Sequence, residues 1–379
     1  MDLLLDSDQR DFRNDIRAFL DETLTDDLRE GQARMIGVYP EPEISLAWQR
    51  KLHEKGWAAP IWPVDFGGTG WTALERFIFE SECAQAGAPL VYPIGIRLVA
   101  PVIIAFGTPE QQQQWLPRIL SGEDYWCQGF SEPGAGSDLG ALSTRAVREG
   151  DEYVINGSKI WTTHAHHANL MFALVRTANT ERRQDGISFV AIELDRPGVD
   201  IRPIISIGGD HDVNEVFLTD VRIPVSNRIG EENRGWSYAK YLLEFERGVG
   251  LFSGRLRSSL KRVEATLPSA PDMGQQRRIA EVAMELDAFE MLELMTVGTL
   301  PTGAAPGPIS SVLKLRASRL KQAIGELAIE LLGTEALRRE ASTRSNIVVS
   351  DYLNSRAATI FGGTAEVQLG IIARSLGGL

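Results

Sequence analysis

The stretch Trp126-Cys127-Gln128-Gly129-Phe130-Ser131-Glu132-Pro133-Gly134-Ala135-Gly136-Ser137-Asp138 marks the point where the chain changes character. Upstream, residues 5–24, 43–55, 72–86 and 109–120 show helical spacing with polar faces. Pro60-Ile61-Trp62-Pro63 and Gly67-Gly68-Thr69-Gly70 punctuate them. Downstream come short β-prone runs at 153–155, 170–175, 187–194, 201–207 and 215–221. Asn156-Gly157 directly follows the first run and signals a tight hairpin. Beyond Arg234 the helical period returns, broken at 300–308 and at Phe361-Gly362-Gly363. The order is helices, β block, helices, with no crossover helices between the β runs. That order argues against a doubly wound parallel sheet, and no G-x-G-x-x-G follows a strand.

The chain has 379 residues, 43% hydrophobic and 24% charged, with a formal charge of −12. Such a composition supports a buried core without staples and, at about 100–200 residues per domain, two or three domains. The acidic balance argues against nucleic acid, whose phosphates need a basic face. There is no apolar run of about 18 residues for a membrane. The start of the chain, with Asp2, Asp6, Asp8 and Asp11, is unlike a basic signal peptide. Cys83 and Cys127 have no metal or redox spacing and read as free thiols of a cytoplasmic protein. His164, His166 and His167 are not expected to hold a metal, because adjacent His166 and His167 cannot both face one ion from a regular strand.

The glycines of the first stretch permit backbone approaches that a Cβ would block. Exposed N–H groups beside Ser131 and Ser137 suit a flat heterocycle or an anion, although a structural turn fits the same residues. In Asn156-Gly157-Ser158-Lys159-Ile160-Trp161-Thr162-Thr163-His164, Trp161 offers an aromatic face and Thr163 a hydroxyl. They suit the wall of a planar cofactor site; the alternative is an ordinary core tryptophan.

Together, Ser131–Asp138 and Gly157–Thr163 resemble the acyl-CoA dehydrogenase family. The resemblance runs over essentially the whole chain, through Gly56-Trp57, Phe106-Gly107-Thr108-Pro109-Glu110-Gln111, Phe217–Pro224, Gly230-Glu231 and Gly363-Thr364-Ala365-Glu366-Val367-Gln368. It implies an α+β multidomain fold: an N-terminal helical domain (1–124), a middle β-barrel-like domain (125–232) and a C-terminal four-helix bundle (233–379), with FAD between the last two. It further implies that Phe130 and Ser131 contact the flavin ring and that Trp161 and Thr163 flank it. Gly136 and Ser137 would lie by the pyrophosphate and the CoA arm, and Thr364 and Glu366 by the FAD phosphates and ribose. Thr364, after two glycines, also suits a helix cap whose N-terminus favours an anion. The implied reaction is dehydrogenation of an acyl-CoA to a 2-enoyl-CoA, with electron-transfer flavoprotein as acceptor.

The family's common Y-E-G-T segment is here Phe361-Gly362-Gly363-Thr364, so Gly362 replaces the usual catalytic glutamate. Other members resembling isovaleryl-CoA dehydrogenase carry the base in an earlier E-R pair, matched by Glu246-Arg247. The i±3 and i±4 neighbours of Glu246 are Leu242, Leu243, Val249 and Gly250, all uncharged, whereas Glu244 has Lys240 and Arg247. A carboxylate on an apolar face has a raised pKa, suited to a carbon acid, so Glu246 is the expected base. Arg247 is either a partner of the base region or a surface pair for Glu244. The resemblance leaves Gly362 a backbone N–H for the thioester carbonyl. Its missing side chain enlarges the pocket, which suggests a branched, ring-bearing or otherwise bulky acyl group, as in steroid side-chain catabolism.

Two family elements that clamp a neighbour's cofactor are missing: no R-x-x-F-G occurs in 267–278, and Q-x-x-G-G reads Glu330-Leu331-Leu332-Gly333-Thr334. The gap suggests an α2β2 assembly, or FAD bound with help from a different subunit, in place of a homotetramer. Two further readings stay open: a non-catalytic or FAD-sharing partner subunit, and a flavin oxidase or monooxygenase on the same fold.

Overall fold

A computed structural model describes residues 5–248, 252–265, 267, 271–299, 307–337 and 344–377, without the side chains of 244–248, 337 and 344–346. Helices α1 (Ser7–Thr23), α2 (Asp26–Ala33), α3 (Pro42–Lys55), α4 (Ala73–Ala86), α5 (Ala100–Phe106) and α6 (Pro109–Ser121) come first. A π turn, Ile94–Val99, leads into α5. Two of these helices start where their chemistry dictates. Thr72 with Glu75 and Thr108 with Gln111 form reciprocal capping boxes that satisfy N-terminal N–H groups of α4 and α6. Gln111 has a second use: its Nε2 donates to Ser226 O and Arg228 O, at 2.7 and 2.8 Å, tying α6 to the β block.

Strands β1 (Trp126–Gly129), β2 (Arg145–Glu149), β3 (Glu152–Thr163), β4 (Leu170–Arg176), β5 (Ile187–Glu193), β6 (Val199–Ile204) and β7 (Val213–Pro224) form one sheet. Its order is β1-β4-β2-β3-β7-β6, with β5 on the other side of β4. β1 runs parallel to β4, and the long pairings β2–β3, β3–β7, β4–β5 and β6–β7 are antiparallel. β4 and β5 are apolar but for Ser188 and their last residues, Arg176 and Glu193, because both of their faces are covered. Phe172, Leu174, Phe189 and Ala191 point to a core shared with Trp48, Ile103 and Leu242 of the helices. Met171, Ala173, Val190 and Ile192 alternate into a second core with Tyr153, Ile155 and Val216.

The hairpin lies elsewhere than Asn156-Gly157 suggested. Glu149 pairs with Glu152, so the tight turn is Gly150-Asp151, with Gly150 at φ 64°. Asn156-Gly157 sits inside β3 at a register shift. There Asn156 exchanges hydrogen bonds with Asp220 (2.9 Å each), and a Cβ on Gly157 would strike Thr144. The two residues make a bulge because the strand crosses another segment there. The run expected at 201–207 also ends early, at Ile204; Ile205 and Ile207 are exposed.

After the sheet, α7 (Gly235–Gly248) packs on the π turn, α5 and β5. Helices α8 (Ser253–Glu264), α9 (Met273–Thr299) and α10 (Ile309–Leu332) share a core of Leu256, Leu286, Phe289, Leu320 and Leu327. Helices α11 (Arg344–Ser355) and α12 (Ala365–Ser375) pack on α10.

One ion pair lies inside the β block. Lys159 of β3 is fully buried and its Nζ donates to Glu132 Oε1 (2.8 Å) and Leu174 O (2.7 Å). Glu132 also accepts from Ser143 N, Ser143 Oγ and Thr144 N, at 2.6, 2.8 and 2.9 Å. Burial opposes ionisation of Glu132, but Lys159 and these donors outweigh it and hold the carboxyl at about 2. Burial pushes Lys159 down to about 8, against the pull of Glu132.

Removing one partner of such a pair leaves the other charge buried and alone. Glu132→Gln should therefore lower the unfolding free energy by about 3–5 kcal/mol, and a double Glu132→Leu/Lys159→Met exchange should recover most of it. Folding lowers the pKa of Glu132, so its contribution is complete above the ordinary carboxylate range and fades as pH falls from about 4.3 toward 2. Acid unfolding of wild type and Glu132→Gln, followed by circular dichroism, should converge over that interval. A constant gap between the two curves would assign the stabilisation to packing instead.

Candidate functional site

β3 pairs with β7 at Lys159–Val216 and resumes at Thr162–Asn214. Within this second bulge Trp161 has φ 59°, a left-handed backbone that costs a non-glycine residue about 1–3 kcal/mol. The bulge turns the indole outward. Trp161 is 59% exposed between the fully buried Lys159 and Thr162, which is no core tryptophan. Ile160 N donates to Ser131 O at 2.9 Å, so the glycine-rich loop runs beside this indole. The sequence read these as two motifs; the fold makes them one surface.

The backbone past the bulge is held from two sides. Tyr92 Oη donates to Thr163 O (3.0 Å) and Asn214 Nδ2 to Thr162 O (3.1 Å). Tyr92 stacks on Tyr125 at 4.3 Å and on His164 at 5.1 Å. Tyr125 Oη in turn lies 2.7 Å from His164 Nδ1. Burial, with His167, His211 and His164 close by, pushes His166 down to about 4, so it is neutral at pH 7. No group of three potential metal ligands occurs among the described residues.

Phe130 contributes differently from its neighbour. Its ring is buried edge-on against Phe172 (5.6 Å) and Phe189 (6.0 Å), so only its backbone reaches the open side. Ser131 is half-buried, and Gly136 and Ser137 are exposed. A Cβ at Gly134 or Gly136 would meet nothing within 4 Å, and neither glycine has a positive φ. Internal packing therefore does not account for these two glycines; the space beside them is open to a ligand.

The second face lies at the start of α12. Gly362 (φ 63°) and Gly363 (φ 92°) turn the chain into this helix. Lys314 of α10 fixes the turn by donating to Ala358 O and Gly363 O, at 3.1 and 2.8 Å. Thr364 caps the helix, its Oγ1 accepting from Val367 N at 3.2 Å. The N–H groups of Ala365 and Glu366 have no partner among the described residues, the arrangement that receives anions. Gln368 is fully buried and its Oε1 has no partner among the described residues. Glu366 is exposed in the first turn.

Glu246 and Arg247 lie in the last turn of α7, and their side chains fall outside the described residues. The sequence reading missed Glu132, Lys159, Tyr92, Asn214 and Lys314. Glu132 and Lys159 stood within the quoted motifs, but in a strand that also carries Glu152, Asn156 and Ser158 nothing local marks Lys159 as the buried charge. Together the parts offer an exposed aromatic wall, an open glycine-lined turn and a helix N-terminus, a donor set suited to a planar ligand bearing phosphates.

Three family models match in series. They are the acyl-CoA dehydrogenase N-terminal domain over residues 6–123, the middle domain over 127–221 and the C-terminal domain over 233–377. Acyl-CoA dehydrogenase IpdE1 of Mycobacterium tuberculosis is 36% identical over 386 residues, covering 98% of each chain. Acyl-CoA dehydrogenase FadE26 of the same organism is 33% identical, covering 96% of this chain and 95% of that one. The solved Tcur3481-Tcur3483 steroid ACAD has a TM-score of 0.87 at 28% identity, covering 100% of this chain and 99% of that one. The ChsE4-ChsE5 complex from Mycobacterium tuberculosis has 0.83 at 31%, with the same coverage. No described helix is long and apolar enough to cross a membrane. With helical, sheet and helical parts each matched in order, the chain belongs to the acyl-CoA dehydrogenase family and is an oxidoreductase of that kind.

Proposed function

We propose that this chain carries out FAD-dependent α,β-dehydrogenation of an acyl-CoA thioester to a 2-enoyl-CoA, with electron-transfer flavoprotein as acceptor. The observation that carries this reading is the outward indole of Trp161 on its bulge, beside the open turn at Gly134–Gly136. When bound, FAD supplies the hydride acceptor for the β-carbon. The backbone of Phe130 and Ser131, with Trp161 and Thr163, holds the ring. Gly136 and Ser137 line the pyrophosphate and CoA arm. Thr364 and Glu366, at the start of α12, meet the phosphates and ribose. With domain junctions at 124/125 and 232/233, this reading has the cofactor lie between the sheet and the last helices.

Glu246 removes the α-proton. The two residues one turn before it, Leu242 and Leu243, include a fully buried leucine, and α7 packs on the π turn and α5. The N–H of Gly362 donates to the thioester carbonyl and stabilises enolate charge. With glycine at 362 the acyl pocket takes a bulky, branched or ring-bearing group, a reading supported by the steroid ACAD among the structural neighbours. Arg247 has a lesser part, either toward the substrate or as a pair for Glu244.

An α2β2 assembly is supported by the missing adenine-side elements and by the likeness to a complex of two named chains. Met284, Met291 and Met295 on α9, with Ile360, Phe361 and Leu369, are exposed apolar groups that a partner chain would cover.

Titrating the flavin-loaded protein with a panel of acyl-CoAs, alone and with candidate partner chains, should bleach the flavin best with branched or ring-bearing esters. The highest kcat/KM on butyryl- or octanoyl-CoA would remove the bulky-substrate reading. Glu246→Gln should cut the bleaching rate by at least about 100-fold, the usual minimum for a general base. Unchanged activity of the complex would favour the FAD-sharing partner-subunit reading.

Flavin content tests the cofactor side separately. The chain expressed alone should purify with less than one FAD per chain. Thr364→Ala, which removes a cap worth about 1 kcal/mol, should lower FAD occupancy further while the far-ultraviolet spectrum stays unchanged. A yellow homotetramer with one FAD per chain would count against the heteromer.

A further inference from the structure

The carbonyl of Thr162 lies in the middle of a strained stretch. Trp161 (φ 59°) and His164 (φ 55°) both have left-handed backbones, two of the four such non-glycine residues among those described. Conformations of this kind persist only where the surrounding contacts hold them. Thr162 is fully buried, and its carbonyl accepts from Asn214 Nδ2 at 3.1 Å and from Ala165 N only at 3.5 Å. Asn214, its partner on β7, is fully buried as well. The amide of Asn214 has two further neighbours, both imidazoles. His166 Nδ1 lies 2.9 Å from Nδ2, and His211 Nε2 lies 2.8 Å from Oδ1.

Hydrogen-bond chemistry leaves this network one protonation state. A carbonyl oxygen only accepts, so Asn214 must turn its NH2 group toward Thr162 O. The second N–H of that group points to His166 Nδ1, and an amide nitrogen cannot accept in return. His166 Nδ1 is therefore bare, and the ring carries its proton on Nε2. Asn214 Oδ1 likewise only accepts, so His211 bears a proton on Nε2. The two rings lie face to face, 3.9 Å apart and 13° from parallel, with the amide hydrogen-bonded to both. A second proton on His166 has no place here. It would set N–H against N–H, and turning the amide over to receive it would set Oδ1 against Thr162 O.

His166 is half-buried at the edge of a groove between α6 and the sheet, so protons from solvent reach it. Charged and titratable groups face it from every side. His164 and His167 share its loop, and His211 comes from the loop between β6 and β7. Across the groove are Arg118 of α6, Asp124 before β1, and Glu193 and Asp195 at the end of β5. The nearest other carboxylates stand by other rings: Asp212 Oδ1 is 3.7 Å from His164 Nε2 and Glu41 Oε2 3.9 Å from His167 Nε2, with Glu43 also near His167. Burial and the three neighbouring histidines push His166 down to about 4, in line with the state that its hydrogen bonds require.

We propose that His166 and His211 are positioning residues for the cofactor wall: they hold the Asn214 amide in the one orientation that binds Thr162 O, and a proton on His166 releases that carbonyl. The proposal rests on the reading above, in which Trp161 and Thr163, on either side of Thr162, flank the flavin. It carries that reading from the residues that would touch the ring to the network behind them. Once the carbonyl is let go, His166 returns to the ordinary histidine value of about 6.5. The released form therefore takes up the proton first. The hold is complete above about 6.5 and weakens as pH falls from there toward 4.

The test reads FAD affinity and amide hydrogen exchange of the segment 160–166 in the flavin-loaded protein, with any partner chain it needs. His166→Asn puts an amide oxygen where Nδ1 stood, an acceptor that no proton removes. At pH 7.5 this variant should bind FAD within about 3-fold of wild type. At pH 5 wild type should bind FAD about 10-fold more weakly than His166→Asn, and its segment 160–166 should exchange faster. Asn214→Asp offers Thr162 O an ionised carboxylate in place of a donor. It should weaken FAD binding by about 10-fold and speed exchange of the segment already at pH 7.5. Should that variant not fold, the comparison of wild type with His166→Asn decides. A ratio between those two that stays constant from pH 7.5 to 5, in affinity and in exchange, would overturn the proposal. Unchanged exchange in folded Asn214→Asp would overturn it too. Exchange that follows this course while FAD affinity does not would establish the hold on Thr162 O and defeat the placement of the flavin on this bulge.

Discussion

The Lys159–Glu132 pair is the constraint on which the candidate site depends. Lys159 reaches from β3 to the carbonyl of Leu174 on β4 and the carboxylate of Glu132 after β1, while Glu132 gathers the donors of Ser143 and Thr144 before β2. Four segments thus meet at two atoms groups of opposite charge in a dry interior. A one-residue slip of β3 would turn Lys159 to the other face and strand both charges. The register of the strand is therefore fixed two residues before Trp161, and the glycine-rich loop is fixed at its first turn. An exposed, left-handed Trp161 can persist because the residues around it are held this firmly.

The far end of the bulge is held from the neighbouring layers. Asn214 and Tyr92 secure the carbonyls of Thr162 and Thr163, and the loop between β6 and β7 connects that end to the last helices. Ser350 Oγ of α11 donates to Gly208 O (2.8 Å), and Asn354 Nδ2 to Asp210 Oδ2 (3.2 Å). The same loop supplies Asp212, whose backbone carbonyl accepts from His164 N at 2.7 Å. Docking of α11 and the path of the chain after Trp161 are in this way parts of one hydrogen-bonded structure.

Much of the fold was legible because local chemistry and burial agreed. Thr72-x-x-Glu75 and Thr108-x-x-Gln111 begin helices in sequence and in space, and the apolar runs of β4 and β5 read as strands. Asn156-Gly157 misled because its dipeptide chemistry serves a bulge as well as a turn; only the crossing with Thr144 decides between them. The exposure of Trp161 was equally hidden. Strand alternation assumes an unbroken pleat, and a bulge resets which face a side chain takes. Arg257 of α8, half-buried, pairs with Asp287 and Glu290 of α9, acids some thirty residues further on that no local spacing points to. Periodicity ranks faces of one helix, and it carries no information on which neighbouring helix brings acids and which does not.

The net charge of −12 acquires a more specific meaning from this placement. The ligands of the proposed function, CoA and FAD, are both anionic, and a field of that sign repels them, so long-range attraction would not supply their binding. Affinity must come from groups that act within a few ångströms, where desolvation strengthens each contact. The orphan N–H groups at the start of α12 and the N–H groups of the glycine-rich loop are of that kind. Their arrangement also favours discrimination over capture. An acidic surface weakens every anion alike, whereas donors fixed at a helix start and in a glycine turn hold only an anion whose oxygens reach them.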